Sequence, residues 1–255
     1  MAVDPTDLKA QAETLRELHT GEMLVLPNVW DAASARVVAE AGFPAVATAS
    51  AAVSAMLGYP DGEGAPWQEM FAAAARVARV VTVPVTVDAE AGYGLGPREL
   101  VDRLLEAGAV GCNLEDTDHR GGAGLVDAGV HAQWLANVRA AAEDAGVPLV
   151  INARVDVFLP VAGVPEGERV AEAVRRGRLY RAAGADCVYP IGVRDRADLA
   201  ALVAGLPGPL NGNAGPGLDL AALRELGVAR VSYGPRFYRS ALAELKTAVT
   251  ALRAG

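Results

Sequence analysis

One segment organises the chain, and it reads Val83-Pro84-Val85-Thr86-Val87-Asp88-Ala89-Glu90-Ala91-Gly92-Tyr93-Gly94. An apolar, β-branched run, typical of a buried strand, ends in two acids and a glycine-rich turn. Residues two apart on an extended segment point the same way, so Asp88 and Glu90 face one spot. Asp61 and Glu115 follow comparable apolar runs. These four carboxylates are therefore predicted to gather round one divalent cation.

A short unit repeats on both sides of this segment: a helical pattern ends in a glycine, and an apolar strand follows. Glycine is favoured just past a helix because it adopts left-handed backbone without a Cβ clash. With three further apolar runs, the repeats predict eight strands, at Met23–Pro27, Ala45–Thr48, Pro84–Val87, Val110–Leu114, Pro148–Ala153, Asp186–Tyr189, Pro209–Asn211 and Ala229–Ser232. Eight strand–helix alternations in 255 residues predict an α/β fold, a single (β/α)8 TIM barrel domain over residues 1–255. A doubly wound open sheet is the alternative, which we disfavour because no point requires the strand order to reverse.

Helical patterns occupy the intervals between the predicted strands. A segment within residues 1–20, clearest over Thr6–Leu18, predicts a helix that covers the bottom of the barrel. Pro97 suits a first helical position, and an apolar face marks the last helix, from Phe237 to Val249. The two longest strand-to-helix connections, Ser50–Pro66 and Asp116–Val130, are glycine-rich. Both lie on the side where barrel active sites are built, and loops of this length are usually functional.

The composition fits a folded, core-rich protein, with 52% hydrophobic and 21% charged residues. A formal net charge of −8 argues against a nucleic-acid partner, which needs a basic face. No run approaches the roughly 18 apolar residues of a membrane span, and the charged N-terminus lacks a signal-peptide pattern. We therefore expect a cytoplasmic protein without a membrane partner. Cys112 and Cys187 lie within apolar strands and predict buried free thiols rather than a disulfide or a zinc site.

The cluster of acids predicts a hard cation. Carboxylate and water oxygens suit Mg²⁺, with Mn²⁺ as the alternative, and no histidine is expected to join them. His19 is predicted to lie on the surface near a helix end, and His131 to be structural at a helix start. His119 sits in the second long connection and is the histidine suited to act as a mobile acid or base.

Other polar residues at predicted strand ends complete the candidate site. Arg154 either holds a substrate carboxylate through two hydrogen bonds or forms a salt bridge to Asp156 or Glu115. Ser50 and its neighbouring backbone N–H groups either cradle a carboxylate or enolate oxygen, or form an ordinary turn. Two further candidates for substrate contact are Tyr93, with packing as its alternative, and Asn211, which as a polar strand-end residue could instead be simply solvated.

Five segments, taken together, resemble the isocitrate lyase/phosphoenolpyruvate mutase superfamily. They are Pro27-Asn28-Val29-Trp30-Asp31-Ala32, Leu57-Gly58-Tyr59-Pro60-Asp61-Gly62, Val87-Asp88-Ala89-Glu90-Ala91-Gly92-Tyr93-Gly94, Asn113-Leu114-Glu115-Asp116 and Asn152-Ala153-Arg154-Val155-Asp156. The resemblance implies a (β/α)8 barrel, Mg²⁺, and a small 2-oxo acid or its enolate as substrate. It also implies a homodimer or homotetramer in which the last helix is exchanged between paired subunits.

The resemblance implies roles for individual residues as well. The implied metal ligands are Asp88, as the most direct, and Asp61, Glu90 and Glu115, mostly through water. The implied substrate contacts are the backbone N–H groups of Ser50 and Ala51, the guanidinium of Arg154 for the carboxylate, and Trp30 as a wall of the pocket.

The loop after Glu115 departs from the superfamily pattern. Lyases of the group carry Lys-x-Cys-Gly-His there, whereas this chain reads Asp118-His119-Arg120-Gly121-Gly122-Ala123. The Lys and the Asn or Thr of mutases and phosphonopyruvate hydrolases are missing too. We therefore expect a lyase, hydrolase or decarboxylase for an oxaloacetate-like 2-oxo diacid, with His119, Arg120 or water handling the proton. Phosphonopyruvate chemistry and a non-catalytic 2-oxo acid binding protein are the alternatives.

Overall fold

The computed structural model describes residues 5–122 and 124–254, and its strands close into a parallel barrel. The strands are β1 (Leu24–Leu26), β2 (Asn28–Val29), β3 (Val46–Thr48), β4 (Val85–Asp88), β5 (Gly111–Glu115), β6 (Val150–Val155), β7 (Cys187–Pro190), β8 (Asn211–Asn213) and β9 (Arg230–Ser232). β2 to β7 pair in chain order, and β9 pairs with both β1 and β8. Only Pro27, which has no N–H to donate, separates β1 from β2, and a bridge from Val188 to Leu210 joins β7 to β8. The barrel prediction is therefore confirmed, and the open sheet is wrong.

Every predicted strand is present, but most end one or two residues later than predicted. β4 includes Asp88, and β5 includes Glu115, which pairs with Arg154 on β6. The sequence pattern ends each strand at its last apolar residue, whereas the ladder is made of backbone hydrogen bonds, which a carboxylate does not interrupt. The acids are consequently held on rigid strand ends.

Ten α-helices surround the barrel or flank it in the described ranges. They are α1 (Pro5–Glu17), α2 (Ala32–Glu40), α3 (Ser50–Leu57), α4 (Trp67–Ala78), α5 (Pro97–Glu106), α6 (Ala128–Asp144), α7 (Arg169–Ala182), α8 (Arg196–Gly205), α9 (Leu220–Glu225) and α10 (Arg236–Ala254). Short 3₁₀ turns occupy Pro160–Ala162 and Glu166–Glu168. None of these helices is long and apolar enough to cross a membrane.

The predicted loop Ser50–Pro66 is partly wrong, because its first half is the helix α3. The Asp88 carboxylate accepts the Ser50 N–H at the start of α3, and the segment is rich in alanine, the best helix former. Gly58, at a φ of 90°, ends the helix in the left-handed conformation. A metal candidate therefore also anchors the helix that follows β3.

The N-terminal helix covers the bottom of the barrel, as predicted. Leu8, Ala12 and Leu15 of α1 are buried against the residues at the start of several strands, including Leu24 and Val110. Residues 1–4 of the predicted segment lie outside the described part. Burying such leucines contributes about 1.5–3 kcal/mol each to the free energy of folding, so α1 is an integral part of the core.

The last helix lies where predicted, but its apolar side chains are exposed rather than packed. The exposed fractions on α10 are 39% for Phe237, 46% for Leu242, 57% for Leu245, 48% for Val249 and 82% for Leu252. At the start of α10 the ring of Tyr238 packs edge-on against Trp30, with centroids 5.3 Å apart. Beyond this contact, the described part of the chain leaves the apolar side chains of α10 largely exposed.

Two histidines are buried, and His19 is one of them, so its predicted surface position is wrong. Its Nδ1 lies 2.7 Å from the Leu15 carbonyl, and burial, followed by the nearby positive charge of Arg230, lowers the pKa of His19 to about 4. His131 packs between the rings of Trp134 and Tyr180. Burial, followed by the charge of Arg176, lowers its pKa to about 4 as well. Both are therefore neutral in the folded protein near neutral pH.

We predict that protonation of these histidines in the unfolded chain destabilises the fold in acid. Unfolded histidine titrates near pH 6.5. Each histidine's contribution to the free energy of unfolding is therefore fully present above that pH and is lost as the pH falls towards 4. Replacement of His131 with Phe keeps the ring packing and removes one titration. Between pH 7 and pH 5, His131→Phe should lose about 2 kcal/mol less unfolding free energy than the wild type, measured by urea unfolding at both pH values. Equal losses in the two proteins would contradict this account.

Candidate metal and substrate site

The four predicted acids meet at the mouth of the barrel. Asp88 ends β4 and Glu115 ends β5, Glu90 lies two residues beyond β4, and Asp61 lies in the loop after α3. A cavity of about 290 Å³ opens beside them. It is lined by Ser50, Asp61, Gly62, Glu90, Glu115, Thr117, Asp118, His119, Arg154, Asp156, Leu159 and Val161. This space suits a small organic acid.

Asp88 is held rigidly but keeps one oxygen free. Its backbone N–H donates to the Thr48 hydroxyl at 3.0 Å, and its Oδ2 accepts the Ser50 N–H at 3.1 Å. Among the described residues, nothing hydrogen-bonds to its buried Oδ1. A buried carboxylate oxygen without a partner is costly, so Oδ1 is a ready ligand atom for a cation.

Glu90 is buried and fixed by two residues of its surroundings. The Tyr93 hydroxyl donates to its Oε1 at 2.9 Å, and the Glu63 N–H donates to its Oε2. Burial is the main cause that raises the pKa of Glu90 to about 7; the hydrogen bonds from Glu63 and Tyr93 oppose the shift, and the negative charges of Asp88 and Asp61 add to it. Tyr93, predicted to contact substrate, instead holds a metal candidate.

Glu115 joins a histidine to the acid cluster. His119 Nε2 lies 2.5 Å from its Oε1, and Arg154 forms an ion pair with its Oε2. Burial raises the pKa of Glu115 to about 7, although Arg154 and His119 oppose the shift. The hydrogen bond to Glu115 raises the pKa of His119. One ligand atom each of Glu90, Glu115 and His119 lie within 4.8 Å of one another, so the expectation that no histidine joins the acids is wrong.

Asp61 completes a set of negative charges that repel one another. Loss of solvent around its carboxyl group is the largest cause of the raised pKa of Asp61, and the negative charge of Asp88 is the second largest. Several acids with raised pKa values around one point are stabilised when a divalent cation neutralises them. The carboxylates and the free Asp88 oxygen therefore fit Mg²⁺ or Mn²⁺, both of which prefer oxygen ligands.

Arg154 takes the salt-bridge arrangement that the sequence left open. Its Nε and Nη2 donate to the two carboxylate oxygens of Asp156 at 2.6 and 2.7 Å, and its Nη1 pairs with Glu115. Thr117 donates a further hydrogen bond to Asp156. Because Nη1 and Nη2 each carry a second hydrogen, the locked guanidinium retains donors for an anion in the cavity that it lines.

Three other predicted substrate residues are not among those lining the cavity in the described ranges. Trp30 lines a separate cavity together with Phe237 of α10. Asn211 is fully buried inside the barrel, where its Oδ1 accepts hydrogen bonds from Asn152 and Ser232. Ala51 lies in the first turn of α3, behind Ser50, whose own N–H is taken by Asp88. Nothing in the structure supports a direct substrate contact for Trp30 or Asn211.

Glu63 was missed by the sequence reasoning. Its Oε1 accepts the Tyr93 N–H at 2.5 Å, and its Oε2 accepts from Arg120 Nε at 2.9 Å. Arg120, predicted as catalytic, is therefore engaged by Glu63, and its side chain is 60% exposed. The sequence offered one signal for Glu63, an acid two residues past Asp61 in a glycine-rich loop. Ala123, the last residue of the unusual loop, lies outside the described part.

Comparisons with known proteins show the family of the chain. Residues 15–253 match the family described as phosphoenolpyruvate phosphomutase. An uncharacterized protein of Mycobacterium tuberculosis, Rv1998c, is 34% identical over 224 residues, which is 88% of this chain and 82% of the relative. The oxaloacetate decarboxylase of Bradyrhizobium sp. strain BTAi1 is 34% identical over 237 residues, which is 89% of this chain and 80% of that enzyme.

A solved structure shows the same fold with ligands bound. Phosphonopyruvate hydrolase, in complex with oxalate and Mg²⁺, superposes with a TM-score of 0.85 at 25% identity, covering 96% of this chain and 87% of that one. The family match spans nearly the whole chain, and the sequence resemblance is thereby confirmed. The chain belongs to the phosphoenolpyruvate phosphomutase family, within the phosphoenolpyruvate mutase/isocitrate lyase superfamily.

Proposed function

We propose that this protein is a Mg²⁺-dependent carbon–carbon lyase or decarboxylase that acts on a small 2-oxo diacid, of the oxaloacetate type, through an enolate. The observation that carries the proposal is the free Oδ1 of Asp88 within a cluster of acids, beside a cavity that Arg154 lines. The oxaloacetate decarboxylase of Bradyrhizobium supports the reaction class. The loop that lacks the lyase Lys-x-Cys-Gly-His pattern would mark a separate branch of the superfamily.

Different residues of the site would bind the cation and the substrate. Asp88 would hold the cation directly, and Glu90, Glu115 and Asp61 would hold it mostly through water. When bound, Mg²⁺ would act as a Lewis acid that stabilises negative charge developing on the 2-oxo oxygen. Arg154 would orient the substrate carboxylate with its remaining donors. The Ser50 hydroxyl, which lines the cavity, would donate to the same end of the substrate.

The remaining chemistry is a bond cleavage and a proton transfer. In decarboxylation of a 2-oxo diacid, the bond between C3 and the C4 carboxyl carbon breaks, CO₂ leaves, and the electron pair moves onto the 2-oxo group as an enolate. C3 then takes a proton. His119 lines the cavity and is oriented by Glu115, and in this proposal its imidazole would deliver that proton.

Two alternatives make different predictions for simple assays. A phosphonopyruvate hydrolase would release phosphate from phosphonopyruvate, and a mutase would rearrange it. The similarity to the solved phosphonopyruvate hydrolase structure supports this alternative. A non-catalytic binding protein would bind 2-oxo acids tightly without turnover. The loop after Glu115 lacks the Lys and the Asn or Thr that the superfamily resemblance implies for phosphonopyruvate enzymes, and this favours a diacid over a phosphonate.

We predict that Asp88→Asn abolishes cation-dependent binding. A ligand at 100 times its Kd adds about 2.7 kcal/mol of apparent stability, so oxalate with Mg²⁺ should raise the melting temperature of the wild type clearly. The variant lacks the full charge at the free oxygen and should show no shift. Glu99→Gln, an exposed acid on α5, is the matched control and should behave as the wild type. A shift that survives in Asp88→Asn would contradict the metal assignment.

We predict that Arg154→Lys turns over oxaloacetate poorly. Lysine keeps the positive charge but loses the planar fork, so kcat/KM should fall about 100-fold, a typical cost for breaking a buried charged contact. Mg²⁺-dependent CO₂ release from oxaloacetate, corrected for the metal-only blank, is the measurement, with urea unfolding to confirm the fold. The absence of wild-type turnover across a panel of 2-oxo diacids would overturn the enzymatic proposal.

We also propose that the domain over residues 1–255 assembles as a homodimer or homotetramer and exchanges α10 between paired subunits. The exposed apolar side chains of α10 support this, because burying each would contribute about 1.5–3 kcal/mol. The predicted consequence is that Leu245→Glu lowers the mass in light scattering towards the 26.2 kDa of one chain. Thr247→Glu, two residues away on another face of α10, should leave the mass unchanged. A monomeric wild type would contradict the proposal.

A further inference from the structure

Three residues outside the glycines have a positive φ in the described part of the chain, and all three lie together. They are Glu63 at 58°, Glu90 at 47° and Tyr93 at 54°. Such backbone is unfavourable for residues other than glycine and persists only where the surroundings enforce it. Strain concentrated in this way is typical of functional sites, and here it lies beside the acid cluster.

Hydrogen bonds join the three strained residues into a closed triangle. The Glu63 N–H donates to Glu90, the Tyr93 hydroxyl donates to Glu90, and the Tyr93 N–H donates to Glu63. The triangle fixes the Glu63 carboxylate in one place, and its side chain is only 5% exposed. Glu63 is therefore a fixed anion immediately beside the proposed metal site.

The partner of this fixed anion is Arg120 in the loop after Glu115. Arg120 Nε donates to Glu63 Oε2 at 2.9 Å. The guanidinium also lies over Gly94, where a Cβ would occupy the same space. The residues that precede the pair, Gly62 and His119, both line the cavity. The ion pair is thus next in the chain to two residues of the cavity wall, and the Arg120 side chain is 60% exposed.

We propose that Glu63 is a specificity-determining residue that occupies Arg120 until the second carboxylate of a diacid substrate takes its place. The inference rests on the proposed function, because it concerns the end of the substrate remote from the 2-oxo group. Glu63 and the second carboxylate offer the same chemistry to the guanidinium. A monoanionic 2-oxo acid has no second carboxylate that could replace Glu63 as the partner of Arg120. The ion pair between Glu63 and Arg120 therefore stays intact, and Arg120 does not contribute to the binding of such a ligand.

The test compares two ligands that differ only by the second carboxylate, 3,3-difluoropyruvate and 3,3-difluorooxaloacetate. Their dissociation constants are measured by calorimetry with saturating Mg²⁺ on the purified full chain. Glu63→Gln retains an acceptor for the Tyr93 N–H but removes the competing charge. It should tighten the binding of difluorooxaloacetate about tenfold, as expected for one charge-assisted hydrogen bond, and leave difluoropyruvate unchanged.

Arg120→Gln should weaken difluorooxaloacetate about tenfold and leave difluoropyruvate unchanged. In the Arg120→Gln background, Glu63→Gln should have no effect on either ligand, because the two residues act through one contact. The matched control is Asp102→Asn, which breaks the exposed ion pair with Arg98 on α5 and should change neither constant.

The outcomes separate this inference from the function on which it rests. Tight binding of both ligands with equal effects of Glu63→Gln on the two would overturn the specificity role while the proposed function stands. The specificity role would also be overturned if Glu63→Gln still changed the binding of difluorooxaloacetate in the Arg120→Gln background. Failure of the wild type to bind either ligand with Mg²⁺ would overturn the proposed function and this inference together.

Discussion

The mutual repulsion of carboxylates crowded at one end of the barrel is the constraint on which the site depends. Asp61, Glu90 and Glu115 all have raised pKa values, and burial is the leading cause for each. The surroundings are organised to hold these charges close together, through Arg154, the Tyr93 hydroxyl and the start of α3. In the proposed function, a divalent cation would relieve this repulsion.

The barrel tolerates these crowded acids because the residues that stabilise the fold lie in a different part of it from the candidate site. The apolar core and the helix α1 stabilise the bottom and the wall, where leucine, valine and alanine side chains are buried. Asp88 and Glu115 sit at the strand ends, where the ladder continues through them and fixes their backbone. In the described ranges, positive φ outside glycine is confined to Glu63, Glu90 and Tyr93, whose hydrogen bonds to one another keep the strain local.

Much of this arrangement could be predicted from the sequence, and the omissions have physical reasons. The repeating apolar runs predict the strands, and acids at their ends predict the cluster, because both signals are local. The burial of Asn211 inside the barrel and the exposure of α10 are not local properties. They depend on how the strands close and on what covers the last helix. The position of Glu63 in the site could not be predicted, because its partners, Tyr93 and Arg120, come from two other loops that no periodic pattern connects.

The most direct test of the central claim is an anomalous diffraction map of crystals grown with Mn²⁺ and oxalate. The account predicts a single strong peak at direct bonding distance, about 2.0–2.3 Å, from Asp88, with the other acids reached largely through water. A peak bound by Glu115 and His119 without Asp88 would contradict the assigned ligand set. The absence of any peak at the strand ends, with Mn²⁺ in excess, would contradict the claim that these acids gather round a cation.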